Sequence, residues 1–371
     1  MNIEVEVSVY NEHHRKLLKK SPVYKNIAKI DGKVVEFSRE DFLTYALFRE
    51  QKNHTGFKTF KDFKKKLPYR IDIFNDYLDE SSNTITAKFN TAEKQLIVTE
   101  YIGIGGGLSV ISRIHGLTEA DWNIIPDTGV KDLDYWISSD GKNIVEVECK
   151  GAFANPKLRI SRKKKEIEDK KTVQRDDKNN KNLLYGVITS YDNSGQLAHC
   201  RILDPVSDNE YDSPWKLRLL SRLNFYLREL SLISNSKSHF LIALSTKLQV
   251  LRLLGKEEIE RTDNLPLSRP DGVPFPFPIS FKNKTRILEN SGFGDILEVG
   301  ENKYLFYGFR NEVVEALIKQ NYSEILKMKF PTKTINTQIK AKLPKRDVEQ
   351  QLYGEVMQTS AGRLFGIFHY E

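Results

Sequence analysis

Residues 131–151, KDLDYWISSDGKNIVEVECKG, contain the pattern that most restricts how this chain can fold. In the second half of the segment, IVEVECK, apolar residues alternate with charged ones, which is the period of a half-buried β-strand. One face of that strand would carry three charged side chains, Glu146, Glu148 and Lys150. Like charges on one face of a sheet repel each other, so this arrangement is stable only where a cation or the lysine neutralises the acids.

The first half of the segment, DLDYWI, alternates in the same way and places Asp132 and Asp134 on one side. Between the halves lies Ser139-Asp140-Gly141, which suits a three-residue hairpin loop with glycine in the left-handed conformation. That loop sets Asp134 opposite Glu146, so the acids of both strands share one face. A two-residue Asp-Gly turn would instead set Asp134 opposite Val147 and divide the acids between the faces.

Carboxylate oxygens gathered in this way suit a hard divalent cation, Mg²⁺ or Mn²⁺. The other interpretation of the same pattern is an exposed strand face that carries solvated charges. The hairpin alone does not decide between these two interpretations.

Asp134, followed after a turn by Glu148-Cys149-Lys150 and then Gly151, resembles the signature of the PD-(D/E)xK nuclease superfamily. The resemblance covers residues 90–205. It implies an α/β (α+β) fold with a restriction-endonuclease-like core, in which a mixed β-sheet is flanked by helices. Accessory modules would precede and follow that core.

The resemblance also implies roles for individual residues. Asp134 and Glu148, with the main-chain carbonyl of Cys149, would bind Mg²⁺ or Mn²⁺, and Lys150 would be catalytic. Glu146 or Glu100 would help to hold a second ion. The chain departs from the family pattern in one respect, because Leu133 and not proline precedes Asp134. Asp127 or Asp132 is therefore an alternative first ligand.

A helix is predicted before the hairpin, because Asn90 and Glu93 form a capping box ahead of a run with helical apolar spacing. Glu100 falls within the apolar stripe, where a carboxylate is costly to bury unless it is paired or bound to metal. We therefore predict Glu100 as a further catalytic acid, and a structural ion pair is the alternative. Four glycines, at positions 103, 105, 106 and 107, predict close packing of this helix on the sheet.

After the hairpin, residues 157–181 contain eleven Lys and Arg against five Asp and Glu, in a chain whose net charge is +8. A local excess of cations beside candidate catalytic acids favours contact with a phosphate backbone over an ordinary solvated helix. The residues predicted to contact nucleic acid are Arg162, Lys163, Lys164, Lys165, Lys171 and Gln174.

Length and composition predict a globular protein of more than one module. We predict an N-terminal module over residues 1–89, the nuclease core over 90–205 and a C-terminal α/β module over 206–371. In the C-terminal module, HFLIAL and LQVLRLL are predicted as strands. Two cysteines without a metal-site spacing, and no secretion signal or apolar run that would span a bilayer, indicate the cytoplasm.

Together these features predict a Mg²⁺-dependent endonuclease with double-stranded DNA as its partner. The resemblance adds a restriction or phage-defence setting, in which a homodimer or an ATPase partner would be typical. The alternative is a catalytically inactive nucleic-acid-binding or assembly protein on the same fold. A glycosidase that uses two acids is a third possibility, which the adjacent lysine and the basic helix disfavour.

Overall fold

The computed structural model describes residues 2–48, 60–79, 82–88, 96–124, 136–154, 157–176, 182–206, 213–233, 238–276, 285–288, 291–343 and 349–370. The chain forms two compact units, the first of residues 1–56 and 69–215 and the second of residues 57–68 and 216–371. Within these described ranges, no helix has both the length and the apolar character that a bilayer crossing requires.

The first unit is built on one mixed sheet with helices on its faces. Its described strands are β1 (Asn2–Val9), β2 (Lys33–Ser38), β3 (Asn123–Ile124), β4 (Trp136–Ser139), β5 (Ile144–Phe153), β6 (Leu183–Tyr191) and β7 (Ala198–Val206). Its described helices are α1 (Glu12–Leu18), α2 (Tyr24–Ala28), α3 (Arg39–Phe48), α5 (Leu96–His115) and α6 (Leu158–Asp176), with a 3-10 turn at Glu119–Asp121. Helix α4 (Phe60–Tyr77) contains the boundary between the units.

The strands of this sheet lie in the order β2-β1-β7-β6-β5-β4-β3. Strands β3, β4 and β5 form an antiparallel meander, and α6 then crosses over to β6, which is parallel to β5. Strand β1 is parallel to β7, so the N-terminal strand belongs to the same sheet as the hairpin. Residues 1–56 thus belong to the same compact unit as the hairpin, and this unit ends at Trp215.

Helix α5 packs on one face of β5 at very short range. A Cβ atom added to Gly103 would lie 2.2 Å from the backbone nitrogen of Gly151, and one added to Gly107 would lie 2.5 Å from the Cys149 sulfur. Only glycine permits this approach of helix to strand, as the glycine-rich sequence predicted. Cys149 therefore faces α5, and Glu146, Glu148 and Lys150 project from the other face, which we call the charged face.

Helix α6 covers part of the charged face. Ile160 and Ile167 of the helix form a hydrophobic cluster with Ala152, Ile188 and Leu203 of the sheet. A Cβ atom on Gly186 would lie 2.4 Å from Ile167, so this contact is also close. The packing fixes α6 above β5 and β6 and brings its basic residues next to Glu148 and Lys150.

The second unit carries an antiparallel sheet in the order β11-β12-β13-β10-β9-β8. Both edge strands contribute residues to one hydrophobic core, so the sheet curves into a half-barrel. Its strands are β8 (Thr285–Ile287), β9 (Gly292–Gly300), β10 (Lys303–Arg310), β11 (Lys333–Lys342), β12 (Glu349–Gln358) and β13 (Arg363–Tyr370). Its other described helices are α7 (Pro214–Ile233), α8 (His239–Leu253), α9 (Lys256–Arg261), α10 (Asn311–Lys319) and α11 (Tyr322–Lys327).

The strands predicted for HFLIAL and LQVLRLL are wrong, because both segments lie within α8. Phe240, Leu241, Leu244, Leu248 and Leu251 are buried and follow the spacing of one helical face. A short apolar run fits either a strand or a helix. Here the buried residues recur every three or four positions across both segments, which is the period of a helix.

Candidate active site

The hairpin that carries the candidate acids has a different register from the predicted one. Ser139 lies opposite Ile144, so the loop contains four residues, Asp140 to Asn143, and the predicted three-residue loop is wrong. Glu146 consequently lies opposite Ile137 and not opposite an acid. Asp134 and the alternative ligands Asp127 and Asp132 lie outside the described residues, as does the capping box at residues 90–93.

The physical reason for the longer loop is the side chain of Asp140. It accepts hydrogen bonds from the backbone nitrogens of Lys142 (2.9 Å) and Asn143 (2.7 Å) and contacts His115 Nδ1 at 2.8 Å. The other ring nitrogen of His115 lies 3.0 Å from the hydroxyl of Tyr185. Although burial raises the pKa of Asp140, these hydrogen bonds hold it below its ordinary value. The loop is therefore tied to the end of α5, which fixes the start of β5.

Glu148 is the central side chain of the charged face. It is fully buried (0% exposed), and its Oε1 atom accepts from Lys150 Nζ at 2.9 Å and from Lys170 Nζ at 2.7 Å. The lysine side chains are 19% and 25% exposed, so the ammonium groups lie between the buried carboxylate and the solvent. Among the described residues, the cluster contains this one carboxylate and the two ammonium groups.

The second oxygen of the same carboxylate is in a different situation. Glu148 Oε2 is buried and has no hydrogen-bond partner among the described residues. An unsatisfied buried carboxylate oxygen is costly, of the order of 1–3 kcal/mol, and calls for a partner. A divalent cation or a hydrogen-bond donor on a ligand would satisfy it, so the donor set fits a hard metal ion on this side.

Glu146, the other acid of the charged face, is 4% exposed and accepts a hydrogen bond from the side-chain amide of Asn182. Asn182 precedes β6, so this bond joins the starts of the two parallel strands. Among the described residues, no three His, Cys, Asp or Glu side chains are grouped closely enough to hold a metal ion. Near Glu148 and Glu146, the described residues thus supply no third side chain of this kind close enough to complete a metal site.

Two predicted site residues lie elsewhere. Glu100, predicted on the core-facing side of its helix, is exposed, and α5 packs on the Cys149 face and not on the charged face. Lys171, predicted to contact nucleic acid, is 2% exposed and donates a hydrogen bond to the carbonyl of Asp204. Lys171 shares the buried side of α6 with Ile160 and Ile167. Lys170, one position earlier, reaches Glu148.

The buried contacts of Lys171 hold α6 against the sheet. Its Nζ lies 3.8 Å from Asp204 Oδ1, and the same carboxylate accepts from the buried His14. The second ring nitrogen of His14 lies 3.2 Å from Glu168 of α6. This group of ionisable side chains is structural, since it fixes the helix from which Lys170 projects.

The remaining predicted nucleic-acid contacts of α6 differ in exposure, since Lys163 and Lys164 are part-buried. Arg162 and Lys165 are exposed, Lys163 pairs with Glu166 at 3.0 Å, and Lys164 pairs with Glu168 at 3.2 Å. The side chain of Gln174 lies outside the described residues. The sequence missed Lys170, although it follows Ile167 by three positions and so shares its inward side of the helix.

Comparison of the chain with protein-family models, with curated proteins and with solved structures finds no match. The candidate site therefore has to be interpreted from its own geometry. That geometry combines a buried carboxylate with an unsatisfied oxygen, two ammonium groups at its rim, and a basic helix directly above it.

Proposed function

We propose that the first unit is a divalent-metal-dependent nuclease that hydrolyses phosphodiester bonds in DNA. The order of elements supports the proposal: a helix (α5), an antiparallel meander (β3–β5), a crossover helix (α6) and a parallel strand (β6). This is the arrangement expected for a restriction-endonuclease-like core, with the Glu148-Cys149-Lys150 motif on the last strand of the meander. A role in restriction or phage defence, with a possible homodimer or ATPase partner, depends on the resemblance of the motif alone.

The single observation that carries the proposal is the environment of Glu148. A buried carboxylate that only stabilised the fold would be expected to have both oxygens satisfied. Here both lysines contact Oε1, and Oε2 has no hydrogen-bond partner among the described residues. The arrangement leaves one oxygen available to a cation and keeps two positive groups beside it for a phosphate.

In the proposed site, Asp134, Glu148 and the main-chain carbonyl of Cys149 would hold Mg²⁺ or Mn²⁺, with Glu146 near a second position. A bound divalent ion supplies a Lewis acid that polarises the phosphate and lowers the pKa of the attacking water. Lys150 orients that water and offsets the negative charge that develops on the phosphorane oxygens. Lys170, which the same carboxylate holds, adds a second positive charge for the scissile phosphate.

The proposal is tested with Lys150→Ala, Glu148→Ala and Asp134→Ala in cleavage assays on duplex DNA, single-stranded DNA and RNA with Mg²⁺ and Mn²⁺. We expect the wild-type chain to cleave and all three variants to lose metal-dependent cleavage while they remain folded. Arg113→Ala is a matched control, because that exposed arginine lies on α5, which packs on the opposite face of the sheet. Cleavage by all three variants at the wild-type rate would refute the assignment.

The contact of Lys170 with Glu148 favours a second candidate function, a nucleic-acid-binding protein without catalysis. Two ammonium groups on one carboxylate neutralise it, and a site of that kind binds phosphate without a metal. The two functions differ in their response to metal. Mn²⁺ that binds the folded catalytic site stabilises it against unfolding by RT ln(1 + [Mn²⁺]/Kd), whereas a site that binds only phosphate gains no stability from Mn²⁺.

A further inference from the structure

A row of side chains crosses four strands next to the proposed active site. Lys150 of β5 lies opposite Ile188 of β6, Ile188 lies opposite Arg201 of β7, and Arg201 lies opposite Ser8 of β1. Directly opposed residues project from the same face of a sheet. Arg201 and Ser8 therefore lie on the charged face. Arg201 is two strands from Lys150, which corresponds to about 10 Å between their Cα atoms.

Arg201 is half-buried and is not paired with an acid. Its Nη1 atom donates to the hydroxyl of Ser190 at 2.6 Å, and none of the described carboxylates lies within ion-pair distance of it. Burial lowers the pKa of Arg201 and the nearby Glu6 raises it, but a guanidinium remains protonated in proteins. An arginine that is partly withdrawn from water without a carboxylate retains most of its hydrogen-bond donors for an anionic ligand.

The hydrogen-bonding side chains of Ser8, Ser190 and His199 lie around this arginine, and Glu6 Oε2 is 3.8 Å from His199 Nδ1. The hydroxyl of Ser8 lies 2.7 Å from His199 Nε2, and the Ser190 hydroxyl contacts both Arg201 and the His199 carbonyl. Burial, together with the positive charge of Arg201, lowers the pKa of His199 to about 4. The imidazole is therefore neutral at neutral pH and adds no positive charge, so Arg201 supplies the cation of this group.

A second observation connects this group to the basic helix. Lys164 of α6 lies 5.3 Å from the centre of the Tyr10 ring, and Tyr10 follows β1 directly. The amide of Tyr10 also bonds the carbonyl of Ile202, the residue after Arg201. Lys164 thus reaches the end of the row that Arg201 and Ser8 occupy. Lys150, Arg201 and Lys164, which also pairs with Glu168, thus lie along one side of the sheet.

We propose that Arg201, assisted by the hydroxyls of Ser8 and Ser190, binds a backbone phosphate of the nucleic-acid strand beside the scissile one. This inference rests on the proposed function, because it assigns the nucleic-acid strand a path from Lys150 across β6 and β7. The guanidinium contacts phosphate oxygens through two N–H groups, as arginine does at phosphate sites generally. The site positions the strand and takes no part in bond breaking.

The test is equilibrium binding of a fluorescent DNA oligonucleotide in Ca²⁺ or EDTA, where cleavage is not needed, over a series of salt concentrations. Arg201→Gln is expected to weaken binding about tenfold, the loss of one charged hydrogen-bonded contact. The slope of log K against log[salt] should fall by about 0.7–0.9, the contribution of one phosphate. Arg201→Lys should keep the slope and recover part of the affinity, because it retains the charge without the planar fork.

Arg113→Gln is the matched control, since Arg113 is exposed on α5, which packs on the opposite face of the sheet. It should leave affinity and slope unchanged. Equal affinity and slope for Arg201→Gln and the wild type would overturn the inference while Lys150→Ala still abolished cleavage and the proposed function stood. Absence of any salt-sensitive binding by the wild-type chain would overturn both. Thermal unfolding of each variant separates lost binding from lost structure.

Discussion

Two buried glutamates, one in each unit, show how differently a carboxylate can be used. Glu148 of the first unit has two lysines on one oxygen and no described partner on the other. Glu229 of the second unit has partners on both oxygens. Its Oε1 accepts from Arg228 at 2.7 Å, and its Oε2 accepts from the hydroxyl of Tyr307.

Glu229 behaves as a structural carboxylate should. Arg363, 1% exposed, lies 3.3 Å from its Oε2 atom and also contacts Tyr307. Burial raises the pKa of Glu229, but the positive charges of Arg363 and Arg228 and the hydrogen bond from Tyr307 bring it down to about 2. Both carboxylate oxygens of Glu229 thus accept hydrogen bonds from groups of the protein.

The difference indicates what distinguishes a carboxylate available to a ligand from one that only stabilises the fold. Burial and ion pairing are common to both glutamates, so neither property identifies function. The unsatisfied oxygen and the part-exposed lysines are found at Glu148. The buried arginine Arg363 and two satisfied oxygens are found at Glu229. We therefore expect substitution of Glu148 to reduce activity and substitution of Glu229 to reduce stability.

The largest effect is expected for Glu148→Gln. It removes a proposed metal ligand and keeps the side-chain volume, so cleavage should fall at least about 10⁴-fold. The unfolding temperature should change little, because Lys150 and Lys170 are partly exposed and regain water. Single-turnover cleavage in Mg²⁺ and thermal unfolding measure the two effects. Cleavage within about tenfold of wild type would remove Glu148 from the proposed site.

Glu229→Gln should have the opposite profile. It leaves Arg363 buried without its carboxylate, which costs about 3–5 kcal/mol of stability. Denaturant unfolding followed by circular dichroism gives the loss. The Mn²⁺-induced stabilisation of the first unit should remain, as read from the fluorescence of Trp122 and Trp136, which lie in that unit; Trp215 is its last residue. A loss of stability below about 1 kcal/mol would show that the ion pair of Glu229 with Arg363 does not stabilise the fold.

The pH dependence of stability tests whether Glu229 acts as a structural carboxylate. The folded pKa of Glu229, about 2, lies below its ordinary value of 4.5. Its contribution, about 3 kcal/mol, is therefore present above pH 4.5 and is lost progressively as the pH falls towards 2. The stability difference between wild type and Glu229→Gln, measured in urea from pH 7 to pH 3, should shrink below about pH 5. A difference that stays constant over that range would contradict the assignment.

The smallest effect concerns the face of β5 opposite Glu148. Gly103→Ala places a methyl group 2.2 Å from the Gly151 nitrogen, which is backbone and cannot rotate away. We expect a loss of about 1–3 kcal/mol, which exceeds the gain in helix propensity of about 1 kcal/mol. Gly105→Ala is the control, because its methyl meets the Phe42 ring at 2.7 Å and a side chain can move. Tryptophan fluorescence during urea unfolding compares them, and equal stability of the two variants would contradict the account.

Local periodicity predicted many of the elements near the site. The alternation in IVEVEC predicted β5, the charge run predicted α6, and the glycines predicted tight packing of α5 on the sheet. The loop length was not predicted, because it depends on Asp140 and its tertiary contact with His115. The parallel pairing of β1 with β7 was not predicted either, because it joins residues far apart in sequence.

The site itself was only partly predictable. The motif indicated Glu148 and Lys150, and the structure brings them together with Lys170, which no motif indicated. Lys170 and Lys171 are adjacent in a run of charges, and only the packing of α6 shows which one is buried. Arg201 lies in an ordinary strand pattern, and its environment is set by three neighbouring strands. The register of the sheet brings the residues of such groups together, so no pattern in the local sequence indicates them.

The central claim is that Glu148 directs an oxygen to a divalent cation, and a crystal grown with Mn²⁺ tests it most directly through anomalous scattering. We predict a Mn²⁺ peak within bonding distance of Glu148 Oε2, with a further carboxylate from residues 125–135 among its ligands. A preparation that cleaves DNA in Mn²⁺ but shows no metal at Glu148 would contradict the account.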